Sequence, residues 1–155
     1  MRPSWDDFFL DLAQLWSTMS TCSRRQVGAV VVQDRKVIGN GFNGVASQKL
    51  HCSDGGCPRG QLSYEDVPAG ADYNQFPCFA IHAEHNAILQ AGLAACRGAT
   101  LYVTAIPCQQ CTNLIEHAGI ERVVMGRERG EDQQTTEEPQ EHDAPHPSSI
   151  EEDCE

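Results

Sequence analysis

Positive charge is scarce in this chain, and its scarcity is uneven. The 155 residues carry 11 Lys and Arg against 22 Asp and Glu, a net charge of −11. From Met1 to Arg129 the count is 12 acidic against 11 basic, whereas Gly130 to Glu155 holds 10 acidic residues and no basic one. Broad nucleic-acid binding draws on clustered Lys and Arg, so no nucleic-acid partner is expected, though one small phosphate is still allowed. Long apolar runs are also missing: nothing approaches the roughly 20 residues of a membrane span, and no cationic start leads into an apolar segment. The expectation is a cytoplasmic protein without a membrane partner. Apolar residues are almost absent from the last stretch, which instead holds Pro139, Pro145 and Pro147. Such a segment buries too little surface to offset ordering entropy, so residues 130–155 are expected to be an acidic disordered tail behind one folded domain, 1–129. Cysteine is not scarce, at eight. Without an export signal, these thiols predict metal binding in preference to disulfides.

The most informative pattern is His82-Ala83-Glu84 followed by Pro107-Cys108-Gln109-Gln110-Cys111. A structural zinc closes its shell with four protein ligands, whereas a hydrolytic zinc uses three and leaves the fourth position to water. His82, Cys108 and Cys111 make three. Glu84, two residues beyond the histidine, is poorly placed as a fourth ligand and well placed to exchange protons with the water. The order H-x-E, then P-C-x-x-C, is the signature of zinc-dependent nucleobase deaminases, with the glutamate as general acid and base. Each half alone is weaker, since a lone Cys-x-x-Cys also serves as a redox pair or half of a structural zinc site. The reading from another class is a non-catalytic, zinc-stapled binding module, for which a free carboxylate beside the metal has no use.

Hydrophobic periodicity places these motifs on elements. Trp5, Phe8, Phe9, Leu12, Leu15, Trp16 and Met19 recur at helical spacing after the capping residue Ser4. Val27 to Val32 and Val37 to Phe42 flank a polar turn and predict a hairpin. Val45 to Phe79, broken by Gly55-Gly56, Pro58, Pro68 and Pro77, predicts a long loop held by something other than a ladder, with cysteines the candidates. A helix over His82 to Leu93, a strand over Thr100 to Thr104, a helix over Cys108 to His117 and a strand over Glu121 to Met125 complete the order αββαβαβ. That order predicts an α/β fold with helices on both faces of the sheet and the metal motifs at helix starts.

With their neighbours, these residues resemble the deoxycytidylate deaminase branch of the cytidine deaminase superfamily. The likeness runs from Trp5 to about Met125 through Val27-Gly28-Ala29-Val30-Val31-Val32, Gly41-Phe42-Asn43-Gly44, His82-Ala83-Glu84-His85-Asn86-Ala87-Ile88-Leu89, Leu101-Tyr102-Val103-Thr104 and Ala118-Gly119-Ile120. It implies a three-layer α/β/α fold with a mixed sheet, a catalytic zinc, and hydrolysis of dCMP to dUMP and ammonia. Under it Asn43 sits at the sugar, the backbone at Ala83 meets the base edge, and the adjacent pair Arg24 and Arg25 receives the phosphate. Asn-Gly is also a common turn signal, which explains Asn43 without a ligand. In some relatives a second zinc pins the long loop, and positions matching Cys22 and Cys52 look like its ligands. A structural site of Cys22, Cys52, Cys57 and Cys78 is therefore expected, with His51 in reserve. Cys96 is read as a small apolar residue and Cys154 as a free tail thiol. Relatives commonly carry a further helix and strand after the position of Met125, where this chain enters its polar tail. The loop Val45-Ala46-Ser47-Gln48 also lacks the proline and glycine usual in members regulated by nucleoside triphosphates, so no such regulation is expected. A homo-oligomer is. Cytidine, a 5-substituted dCMP and a purine base remain alternative substrates for the same chemistry, while adenosine in tRNA is disfavoured by the missing basic surface.

Overall fold

The computed structural model describes residues 1–126, so the expected tail over 130–155 lies outside the described residues, as does Cys154. Helix α1 spans Trp5–Ser17 and starts where Ser4 Oγ accepts from the Asp7 amide at 3.1 Å, with Asp6 and Asp7 in the first turn facing the positive end of the helix dipole. Strands β1 (Gly28–Gln33) and β2 (Lys36–Phe42) form the predicted hairpin. Its two central residues, Asp34 and Arg35, take φ of 50° and 62°, the left-handed pair that suits a two-residue hairpin turn. Helix α2 (Ala83–Ala91) stops at Gly92, and a short α3 (Leu93–Cys96) that periodicity did not reveal follows. Strand β3 (Thr100–Val103), helix α4 (Gln109–His117) and strand β4 (Arg122–Met125) complete the described chain.

The sheet order is β2-β1-β3-β4, with β1 antiparallel to both β2 and β3 and β4 parallel to β3. It is therefore mixed, as expected. Alternation along β1 divides the core. Val30 and Val32 join Tyr102, Phe9 and Ala13 under α1, while Ala29 and Val31 join Leu101, Val103, Ala87, Ile88, Cys96 and Ile115 under the other helices. That makes three layers, α/β/α. Helix α2 approaches β2 closely because β2 offers glycines. A Cβ on Gly41 would lie 2.6 Å from the Ala83 carbonyl oxygen, and one on Gly39 would lie 2.3 Å from that of Ala87. The start of α2, with the His-x-Glu motif, is thereby set against the end of β2.

The long loop contains only two single 3₁₀ turns, Cys52–Asp54 and Arg59–Gln61. Guanidinium groups hold much of it. Arg24 donates to the carbonyls of Leu62, Ser63 and Val67, and Arg59 to those of Ala71 and Phe76. Ser23 Oγ donates to the Gly60 carbonyl at 2.7 Å, and the buried Val67 anchors the middle. Expecting cysteines as the fasteners overlooked these straps. Among the described residues no helix is long and apolar enough to cross a membrane.

Candidate active site

Two helix starts converge beneath one cavity. The residue before His82 is fixed by a bridge to the end of β2, with Gly44 N donating to Ile81 O at 3.1 Å and Ile81 N to Gly44 O at 2.9 Å. His82 then occupies the N-cap position of α2 with extended backbone, and Asn86 ties the same turn to β2 by donating to the Phe42 carbonyl at 2.9 Å. Cys108 holds the equivalent position on α4, and Cys111 lies in the first turn. Helix starts carry partial positive charge, which favours thiolates.

His82 Nδ1 lies 3.4 Å from Cys108 Sγ and 3.4 Å from Cys111 Sγ. The three ligand atoms all fall within 4.8 Å of one another. Bond lengths of about 2.05 Å to nitrogen and 2.3 Å to sulfur put two ligands of one tetrahedral zinc about 3.5 Å apart, so the spacing fits that ion. The electrostatics fit it too. Burial pushes the Cys111 thiol well above the ordinary range, and Glu84 and Cys108 add to the rise. A divalent cation held by the three donors would reverse that balance and favour the thiolates.

Glu84, 4 % exposed, lines the cavity beside His82, Ala83 and Cys108. The cavity is about 220 Å³, small beside ligand pockets that start near 300 Å³. Its wall is cationic, with Arg24, Arg25 and Arg59. A wider depression of about 600 Å³ shares His82 and Cys108 and runs past His85 and Leu114, but none of Glu84, Asn43 or the arginines lines it. The smaller cavity has the chemistry.

Asn43, 8 % exposed, lines that cavity with its amide largely engaged. Its Oδ1 accepts from Ser20 Oγ at 2.7 Å and from Val27 N at 2.8 Å, and its Nδ2 donates to Arg25 O at 2.7 Å. One amide hydrogen remains for a ligand. Both arginines of the predicted phosphate pair line the cavity, and Arg24, besides its three carbonyl bonds, lies 4.1 Å from the Tyr64 ring centre. Adjacency in sequence pointed to that pair and missed Arg59, which is isolated among Pro58 and Gly60. Its only early signal was a cation inside a proline- and glycine-rich loop.

Cys22 and the loop cysteines Cys52, Cys57 and Cys78 are not drawn together like the first group. Cys57 Sγ and Cys78 Sγ are 3.7 Å apart, and Cys52 Sγ lies 3.3 Å from Ser23 Oγ. Among the described residues only His82, Cys108 and Cys111 bring three ligand atoms within 4.8 Å. Burial pushes the Cys78 thiol up to about 11. Burial also acts to raise Cys57, but backbone bonds from Phe79 and Gly60 and the thiols of Cys78 and Cys52 outweigh it, leaving Cys57 lowered. His51 turns to Thr21, with Nδ1 3.2 Å from its hydroxyl. Cys96 is fully buried in the apolar core, as expected.

An α/β/α sandwich whose two helix starts bring a histidine and two cysteines to one point, beside a buried glutamate, defines the class of zinc-dependent deaminases. The chain belongs to the cytidine and deoxycytidylate deaminase zinc-binding family, whose sequence model matches residues 3–127. It is 48 % identical over 129 residues to the deoxycytidylate deaminase of Mycobacterium phage D29, covering 82 % of this chain and 98 % of that one. The deoxycytidylate deaminase of Saccharomyces cerevisiae is 40 % identical over 128 residues, 82 % of this chain but only 39 % of that longer protein. Among solved structures, the dCMP deaminase of cyanophage S-TIM5 in complex with dCMP and dUMP superposes with a TM-score of 0.59 at 29 % identity, covering 81 % of this chain and 82 % of that one.

Proposed function

We propose that this protein hydrolyses dCMP to dUMP with release of ammonia. The observation that carries the reading is the three-donor group of His82, Cys108 and Cys111 at a cavity that also receives Glu84. Deoxycytidylate deaminases among the relatives support the substrate. His82, Cys108 and Cys111 would hold the zinc, which when bound supplies an activated water near neutral pH. Glu84 takes a proton from the attacking water and delivers it to N3 of the cytosine ring. Once the oxygen has added to C4, Glu84 takes the remaining proton of the new C4 hydroxyl and passes it to the amino group. The C4–N bond then breaks, ammonia leaves and the C4 carbonyl of the uracil ring remains. The Ala83 backbone orients the base edge, the remaining Asn43 amide hydrogen meets the sugar, and Arg24 and Arg25 contribute positive charge for the phosphate. The catalytic domain in this reading spans 1–129.

A second, structural zinc on Cys22, Cys52, Cys57 and Cys78 extends the proposal. Its support is proximity: Cys57 Sγ lies 3.7 Å from Cys78 Sγ, and Ser23, the neighbour of Cys22 in sequence, places its hydroxyl 3.3 Å from Cys52 Sγ. Elemental analysis should find two zinc ions per chain, falling to one in Cys57→Ser; one ion, unchanged by that substitution, removes the second site. Reduced thiols and a free nucleotide substrate together suit the cytoplasm. The exposed apolar side chains Leu15, Met19, Leu89 and Leu93 suit a homo-oligomer. The substrate assignment is tested by ammonia release from dCMP, 5-substituted dCMP, deoxycytidine, cytidine and guanine: dCMP should lead, and equal rates on dCMP and deoxycytidine would remove the nucleotide assignment.

A further inference from the structure

We infer that Arg59, outside the phosphate pair suggested by sequence adjacency, is the specificity residue that receives the 5′-phosphate and makes the site prefer a nucleotide to a nucleoside. This rests on the deaminase reading above. Arg59 is 5 % exposed, and a guanidinium keeps its charge at any pH a folded protein meets. Burying such a charge is costly unless a counter-charge or a full set of hydrogen bonds compensates it. Its partners are neutral. Nη1 donates to Ala71 O at 3.1 Å and to Phe76 O at 3.0 Å, and the guanidinium carbon lies 4.2 Å from the Tyr73 ring centre. Among the described residues no carboxylate lies within 4.0 Å of it, and neither Nε nor Nη2 makes a hydrogen bond.

Nε and Nη2 together form the edge of the guanidinium fork that grips two oxygens of one phosphate. Arg59 lines the same cavity as Glu84, so one ligand in that cavity can reach both side chains. Arg24 is differently placed, since both of its terminal nitrogens already donate to loop carbonyls. The two carbonyl bonds and the Tyr73 ring hold the Arg59 fork in place before a ligand arrives. Little side-chain freedom remains to be lost on binding.

The test compares Arg59→Gln and Arg59→Lys with the wild type on dCMP and deoxycytidine. The ratio of kcat/KM for dCMP to that for deoxycytidine should fall about 100-fold in Arg59→Gln, which has lost the charge and the fork, and about 10-fold in Arg59→Lys, which keeps the charge. An unchanged ratio in both would make Arg59 a loop strap only and overturn the inference. If Arg59→Gln does not fold, the Arg59→Lys ratio decides alone. Calorimetric binding of inorganic phosphate reads the same residue without turnover: both variants should bind at least 10-fold more weakly than wild type, and equal affinity overturns the assignment. A wild type that binds phosphate through Arg59 yet leaves dCMP unreacted would refute the deaminase reading, and with it the role in substrate choice, while leaving Arg59 as a phosphate ligand.

Discussion

Burial and the neighbouring Glu84 oppose a negative charge on Cys111, and a metal cation held there would relieve that opposition. Glu84→Gln keeps the shape and the donor set but removes the proton carrier. At equal zinc content its kcat on dCMP should fall by about 10²–10⁴, the range of a lost general acid-base group. Wild-type turnover in that variant would remove Glu84 from the mechanism. Cys111→Ser should fail differently, losing the metal together with the activity. Asn43 makes a separate prediction because its amide links Ser20, Val27 and Arg25. Asn43→Ala leaves the Val27 N–H and the Arg25 carbonyl short of partners, while Ser20 Oγ keeps the backbone carbonyl of residue 43 at 2.7 Å, and denaturant unfolding should show a loss of about 2–4 kcal/mol alongside any rise in KM. An asparagine that faced only the ligand would raise KM at constant stability.

At the scale of elements, the glycines of β2 are what bring α2 close enough to aim His82 and Glu84. A methyl group on Gly41 meets the Ala83 carbonyl oxygen at 2.6 Å and the Ala87 nitrogen at 2.7 Å, and both are backbone atoms that cannot swing aside. Gly41→Ala should lower stability by about 1–3 kcal/mol and weaken zinc binding measurably, since the displaced helix carries the histidine. Zinc affinity equal to wild type would separate the strand contact from the site. Helix α1 is tied to β3 and β4 by Asp6, which accepts from Arg122 Nη1 at 2.9 Å and from the Tyr102 hydroxyl at 2.8 Å. The Arg122 hydrogen bond, helped by Tyr102 and opposed by burial, holds the Asp6 carboxyl below the usual aspartate range. A carboxyl depressed in the folded state adds stability above its unfolded pKa and loses it as pH falls through the folded value. The exposed pair is worth at most about 1 kcal/mol. Asp6→Asn should therefore be slightly less stable than wild type at pH 7, and the two should converge in acid; a difference that persists there would assign the effect to packing. The helices and the hairpin were legible in sequence because apolar periods of 3.6 and short β-branched runs report directly on which face is buried. Helix α3 was not, since four residues after Gly92 are too few to display a period.

Over the whole molecule, the site divides into a part written in contiguous motifs and a part assembled by the loop. His82, Glu84, Cys108 and Cys111 were readable because metal ligation demands fixed residue types at fixed spacing, and the fold carries both motifs at helix starts. Arg59 was not, because an arginine that reaches carbonyls 12 and 17 residues away follows no periodic rule. Its burial exists only once the loop has closed over it. The same reasoning explains why the arginine fasteners of the loop were missed beside the cysteines: thiols advertise themselves in a sequence, and guanidinium-to-carbonyl straps do not. His82 at the start of α2 and Cys108 and Cys111 at the start of α4 would hold one zinc, which would couple the two halves of the chain as well as supply the activated water. The most direct measurement is ammonia release from dCMP by protein stripped of zinc with a chelator and then titrated with the metal, with thermal unfolding followed in parallel. Stripping should abolish ammonia release and lower the Tm, and zinc should restore both as the site of His82, Cys108 and Cys111 fills. Undiminished ammonia release from the zinc-free protein would contradict the account.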